Sequence, residues 1–463
     1  MVVFHSIEFV FIRFGICNAV LRSQIFSVKQ IFCKYSHYYH VAGLWMWHFS
    51  FQRNSSAKTI HWFDTGHHFY LSVNIMIPSL QKKSINYPIE LFLFLFVNAL
   101  FILKYVSRTS TNPYLVLGVY CIIITALVYF SSLQNIKKKE QLSKAGFYSL
   151  LFLIIATIAI LLIKVDRYSV NVDRWSAVTF FLDNFFQGNY PYAAHTHVSE
   201  TNYPSPFPVW YLINLPFYLM GDVGIGLIFF ILITAFFIRY YFQSWHKSLL
   251  FLLLLVLSPA YWWEVMVRSD AMSNAFLVFV VIVWFDKSGK TLSVYLLTAI
   301  ILCGLIASTR LSAILPLALY FFKPFLSLNL KKKAFFISAI ALIILVSFLP
   351  FVCWDTQNWI FFSRNPFMSQ SGIGNIYVLI GMVALGILFS LKWTGLHSFF
   401  NAASIFIFTF MASSQISLIV TRGINGSFFS DPTYDVSYFS LILPYCIGYL
   451  TRISQPDIKE NVK

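Results

Sequence analysis

Long apolar runs recur from residue 88 to residue 451, each close to the length that crosses a bilayer. A transmembrane helix needs roughly 20 apolar residues. Such runs lie near residues 88–106, 114–133, 146–165, 222–243, 247–262, 270–285, 291–308, 311–325, 334–352, 374–391, 396–419 and 435–451. They predict an all-α, polytopic membrane protein of about twelve spans. Composition agrees, with 58% hydrophobic and 11% charged residues. Soluble domains average about 45–50% and 25%. A soluble enzyme, a disordered chain and a small disulfide scaffold are excluded. The runs lack the strict alternation of an outer-membrane barrel.

The formal net charge is +16. In a soluble protein this would suggest a nucleic-acid partner. Here the basic residues gather in alternate connecting segments: Lys137 to Lys139 with Lys144, Arg239 with Lys247, Lys287 with Lys290, Lys323 with Lys331 to Lys333, Lys392, and Arg452 onward. The positive-inside rule assigns these to the cytoplasm. The surplus is therefore an orientation signal, and no nucleic acid is expected. Segments 166–221, 263–269, 353–373 and 420–434 then fall outside. Residues 206–220, PFPVWYLINLPFYLM, are apolar but short and carry Pro206, Pro208 and Pro216. Counting them as a span would reverse every later loop, so they read as a juxtamembrane or re-entrant helix.

The first 75 residues differ from the rest. They hold seven of the 11 histidines, namely His5, His37, His40, His48, His61, His67 and His68, together with Cys17 and Cys33. Apolar runs there are broken, and no cleavable signal is evident. The expectation is that residues 1–75 are an over-extended start, and that 76–463 form one integral-membrane domain. No CxxC occurs, which argues against a zinc site or a disulfide framework.

The richest stretch is Asp166 to Gly221. From Asp173, residues Trp175, Val178, Phe181, Leu182, Phe185 and Phe186 recur at spacings of three and four, giving one apolar helical face. Gly188 ends the pattern. An aromatic face of this kind suits the membrane interface. Asp173 opens the helix, a position where an Asp commonly serves as an N-cap and where the helix dipole favours a carboxylate. His195 and His197 follow in a polar stretch that holds a ligand or a metal, or is solvated. Trp175 and Tyr190 read as interface anchors or as ring platforms for a ligand.

The segment NVDRWSAVTFFLDNFFQGNYPY, with NYPSPFPVWYLINLP behind it, resembles the first large outer loop of the glycosyltransferase-C superfamily. It is most similar to bacterial polyprenyl-phosphate-mannose-dependent mannosyltransferases. The likeness is specific over about residues 166–222 and only architectural elsewhere. It implies an enzyme of the bacterial inner membrane with an outward-facing site. Its donor would be a polyprenyl-phosphate sugar, its acceptor a lipid or glycan, and membrane lipids would surround it. The likeness assigns the catalytic base to Asp173, with Asp166 as the rival.

The chemistry is compatible with one carboxylate. Such a group can take the acceptor hydroxyl proton while the anomeric centre inverts. The departing phosphate calls for cations, and Arg174, Arg268 and Arg310 all sit at expected outer span ends. Glu264, Arg268 and Asp270 form a second polar group, in which Glu264 and Arg268 are spaced to pair on a helix or to fix topology. With His195, His197 and Tyr190, Glu264 and Asp270 are candidates for acceptor or sugar binding. Asp355 and Asp431 read as ordinary loop residues. Asp166 and Asp173 are too separated to assert a metal site, so no cofactor is expected, without excluding a divalent ion. No Walker A motif occurs, which argues against ATP-driven transport. A lipid-linked-oligosaccharide flippase or other secondary transporter, and an O-antigen-type polymerase or ligase, are the alternatives.

Overall fold

The computed structural model describes residues 48–51, 58–63, 73–75, 88–133, 140–289, 291–356, 365–370, 376–425, 428 and 436–452. Of the N-terminal histidines, His48 and His61 lie among these. The other five, with Cys17, Cys33, Lys137 to Lys139 and Asp431, lie outside them. The chain divides into two compact units, Met1–Ile85 and Asn86–Lys463.

In the first unit three strands form an antiparallel sheet in the order β1 (His48–Phe51), β2 (Lys58–Phe63) and β3 (Val73–Ile75). His48 is opposite Phe63, and Lys58 is opposite Ile75. The segment KTIHWF carries Thr, Ile, Trp and Phe, residues suited to a pleated surface. This sheet departs from the all-α expectation, which holds for the described residues of the second unit.

That unit is helical. It contains α1 (Pro88–Val106), α2 (Pro113–Leu133), α3 (Glu140–Lys164), α4 (Arg174–Phe186), α5 (Pro208–Leu219), α6 (Ile225–Phe242), α7 (Trp245–Val256) and α8 (Pro259–Met266). There follow α9 (Asp270–Ser288), α10 (Leu296–Ala307), α11 (Leu311–Leu326), α12 (Leu330–Trp354), α13 (Pro366–Gln370), α14 (Ile376–Lys392), α15 (Leu396–Asn425) and α16 (Leu443–Arg452). Among the described residues, seven helices are long and apolar enough to cross a membrane: α1, α2, α3, α6, α9, α12 and most of α15. The α7–α8 pair, bent by 67°, makes an eighth if counted as one span. The chain is thus a multi-pass membrane protein. Shorter apolar helices occupy the other expected positions: α10, α11, α14 and the Val436–Thr451 segment.

Helix α5 has 12 residues and begins with Pro208, whose fixed φ suits a helix start. At ~1.5 Å per residue it extends about 18 Å, well short of the ~30 Å hydrocarbon core. It is the short helix that the prolines predicted.

Helix α9 is the hub, mostly buried where α12 is mostly exposed. It packs on α6, α11 and α16. Two features let helices approach one another. Gly304 of α10 faces Ile343 of α12, where an added Cβ would come within 2.8 Å of it. Polar side chains supply the second feature. Asn98 of α1 donates to its own Phe94 carbonyl at 2.8 Å. Its Oδ1 accepts from Ser258 Oγ at 2.6 Å and from the Ala260 amide at 3.1 Å. Ser258 in turn caps α8 by accepting from the Tyr261 amide. A break inside an apolar layer frees backbone donors that water cannot reach, so neighbouring side chains must satisfy them. Near the start of α1, Asn401 of α15 donates to the buried Glu90 carboxylate.

Asn98→Leu keeps the branched shape but leaves Ser258 and the Ala260 amide without their acceptor. The expected cost is about 1–3 kcal/mol, read as a lower unfolding midpoint in detergent. A midpoint equal to that of the parent would contradict the account of the break.

Candidate active site

The 166–221 loop lies over the ends of several helices. The Phe207 amide donates to the Thr309 carbonyl at 2.8 Å, and the Val209 amide to the Ser308 carbonyl at 3.1 Å. Gln370 of α13 donates to the Ser205 carbonyl and accepts from the Leu311 amide at 2.9 Å. Arg268 reaches the end of α3, and Arg174 reaches Ser437. The α3–α6 loop, the α8–α9 and α10–α11 junctions, α13 and the 436–442 turn therefore gather at one end of the bundle.

Within the loop, Asp166 caps a short 3-10 turn, Arg167–Ser169, by accepting from the Tyr168 amide at 3.1 Å. Helix α4 follows. Trp175, Val178, Phe181 and Leu182 are buried. Only Phe185 and Phe186, at the far end, remain exposed. The predicted aromatic face therefore packs mainly into protein and does not lie along an interface. Phe181 stacks flat on Tyr211 of α5, with centroids 3.4 Å apart. Trp175 is no interface anchor: it is 1% exposed, and its Nε1 donates to the Arg167 carbonyl at 3.1 Å. Tyr192 donates to the Pro206 carbonyl at 3.2 Å, drawing the Tyr-Pro-x-Pro segment back over α4.

Asp173 stands at the N-cap position of α4 with a half-buried side chain. Its carboxylate makes no cap hydrogen bond, although its backbone carbonyl receives the Ala177 amide and the Ser176 hydroxyl. The two carboxylates named by the sequence thus differ: Asp166 is spent on a turn, Asp173 is not. Ser176 also joins His197, whose Nδ1 is 2.7 Å from its hydroxyl. His197 Nε2 lies 3.0 Å from the Val170 carbonyl, to which it donates. His197 therefore staples the loop to α4, whereas His195 is exposed beside Tyr203. Tyr190 is half-buried near Trp354, and burial with the nearby Asp355 pushes its phenol up to about 12.

Each of the three expected phosphate-binding arginines has protein partners. Arg174 donates to Ser437 Oγ at 3.0 Å and to Tyr438 Oη at 3.4 Å, and lies over the Tyr438 ring. Arg268 has a left-handed backbone, φ 51°, at the turn from α8 into α9. It pairs with Asp222 at 2.9 Å and donates to the Leu162 and Val165 carbonyls at 2.8 and 3.2 Å. It does not pair with Glu264, as the helical spacing suggested, because the chain turns between them. Gly224 leaves room for this: a Cβ there would stand 2.9 Å from the Arg268 side chain and 3.0 Å from Asp222. Arg310 pairs with Asp270, both almost fully buried. Tyr211 lies within their field, and burial pushes its phenol well up. Glu264 is fully buried in α8.

A cavity of about 400 Å³ opens beside α4, lined by Arg167, Tyr168, Thr179, Phe180, Asp183 and Tyr218 among others. Tyr218 donates to Asp183 at 2.7 Å. This bond, more than burial, pushes the Tyr218 phenol up to about 12. Arg167, Asp183 and Asp222 were not anticipated. Their signal was faint: an Arg after the first Asp, and one carboxylate on the polar side of an apolar helix. Among the described residues no cluster of three or more His, Cys, Asp or Glu is arranged to hold a metal. No protein-family model, curated protein or solved structure matches the chain.

Two measurements check this geometry. Asp270→Leu should destabilise by about 3–5 kcal/mol by stranding a buried guanidinium. Adding Arg310→Met should recover most of the loss in a denaturation series. The Tyr218–Asp183 bond stabilises fully below the phenol's ordinary value of 10 and is lost as pH rises through about 12. Tyr218→Phe should abolish that part of the alkaline decline in unfolding midpoint.

Proposed function

We propose that the chain is an integral-membrane glycosyltransferase of about twelve spans. It moves a hexose, mannose on the family likeness, from a polyprenyl-phosphate donor to a lipid or glycan acceptor. The observation that carries this reading is Asp173: a half-buried carboxylate opening α4 that caps nothing. An Asp at a helix start ordinarily accepts from the first-turn amides. One that does not is available for another proton.

In the reaction, Asp173 takes the proton of the acceptor hydroxyl as that oxygen bonds to the anomeric carbon. The bond from that carbon to the phosphate oxygen breaks, and polyprenyl phosphate departs with the electron pair. Configuration inverts, and no second acid is needed because a phosphate monoester leaves readily. His197 and Ser176 act by holding the loop that follows the base against α4. The end of the bundle bearing the 166–221 loop faces outward, since the basic segments lie on the opposite side of the alternating spans.

In proteoliposomes supplied with radiolabelled polyprenyl-phosphate mannose and membrane-lipid acceptors, Asp173→Asn should lower transfer by about 10²–10⁴-fold. Asp166→Asn should retain most of the activity. Full transfer by the Asp173 variant, or loss confined to the Asp166 variant, would reject the assignment. For sidedness, single cysteines are introduced in a cysteine-free background. Ser199→Cys should react with an impermeant maleimide from outside, and Ser288→Cys should not.

A further inference from the structure

The proposed chemistry needs a cation for the leaving phosphate, yet Arg174, Arg268 and Arg310 are occupied by protein partners. Arg167 differs. Its guanidinium lies over the Trp175 ring at 4.7 Å and the Tyr168 ring at 5.5 Å. Among the described residues it meets only these rings and makes no hydrogen bond or ion pair. A guanidinium lying on aromatic faces keeps its N–H groups in its own plane, pointing outward. Its backbone is fixed as well, since Trp175 Nε1 donates to the Arg167 carbonyl at 3.1 Å. The side chain is thus held in place while its donors stay unspent, an arrangement that lowers the entropic cost of binding.

Arg167 lines the cavity of about 400 Å³, which lies within the usual ~300–1,000 Å³ range of small-molecule sites. The cavity is chemically two-sided. Inside, Arg167 offers a cation, and Asp183 and Tyr218, whose hydroxyl proton is held by Asp183, offer acceptor oxygens. At the rim, Leu219 is 68% exposed, Met220 beside it is 66% exposed, and Phe186 stacks on Tyr218. An anionic head with hydroxyls and an apolar tail matches both parts, whereas free phosphate matches only the first.

We propose that this cavity is the site for an isoprenoid phosphate, free or esterified to a sugar, with Arg167 as its phosphate-binding residue. The identity of this ligand as the sugar donor rests on the transferase reading, but the binding itself does not. Asp183 and Tyr218 would meet hydroxyls of the attached sugar, and the isoprenoid would leave over Leu219 and Met220 into the lipid.

The test uses the full chain in nanodiscs of zwitterionic lipid, with radiolabelled farnesyl phosphate as the probe. Arg167→Gln should weaken binding by roughly ten- to a hundredfold, and Arg167→Lys by less. Thr179→Trp, which fills the cavity without touching the charge, should also weaken it, so the result does not hang on one variant. Unlabelled farnesol, inorganic phosphate and phosphatidylglycerol should each compete poorly. Undiminished binding by both Arg167→Gln and Thr179→Trp would overturn the proposal. So would competition by inorganic phosphate or phosphatidylglycerol as strong as that by unlabelled farnesyl phosphate. Failure of the parent protein to transfer sugar, with Arg167-dependent binding intact, would reject the transferase reading alone. Full transfer by Arg167→Gln at limiting donor, with Asp173→Asn inactive, would reject the Arg167 assignment alone.

Discussion

Where a helix stops inside an apolar layer, its open amides and carbonyls have to find partners within the protein. The polar side chains of this bundle are distributed by that demand. Asn98 answers it at the α7–α8 bend. Arg268 answers it at the end of α3, where two carbonyls point at one guanidinium and Asp222 balances the charge. Gln370 answers it twice, at the Ser205 carbonyl and the Leu311 amide. Charged groups that cluster at one end of a membrane protein invite a functional reading. Here many of them are first the fasteners of broken backbone, and only the remainder is open to ligands.

The aromatic residues divide in the same manner. Phe181, Tyr192 and Tyr211 form a packed set that binds α4, the Pro191 turn and α5 into one piece. Trp175 joins this piece through the Arg167 carbonyl and the neighbouring Tyr168 ring. The loop is therefore a small folded body with its own core. A carboxylate at its edge is held as firmly as one on a span.

Much of the architecture was legible because length and hydropathy are local properties. The long spans and the short α5 followed from run lengths and from Pro206, Pro208 and Pro216. The strands near residues 48–75 were missed because short mixed segments carry no clear period. The site was less legible because pairing is not local. Nothing near Arg268 in the chain announces Asp222, 46 positions earlier. Spacing favoured Glu264 instead, on the premise that one helix continues through Arg268. The left-handed turn at Arg268 removes that premise. Position at a span end likewise could not separate Arg167 from Arg174, since the difference lies in what each guanidinium touches.

The bare carboxylate at the start of α4 has a consequence for mutational tolerance. A Ser, Thr or Asn at position 173 would gain no cap that Asp lacks, because the backbone there, φ −82° and ψ 7°, is not in the extended conformation from which a side chain meets the first-turn amides. On the proposed reading the same changes remove the base. Position 173 would then score as neutral in a survey of folding and as intolerant in a survey of turnover, a split that separates a residue kept for chemistry from one kept for the fold.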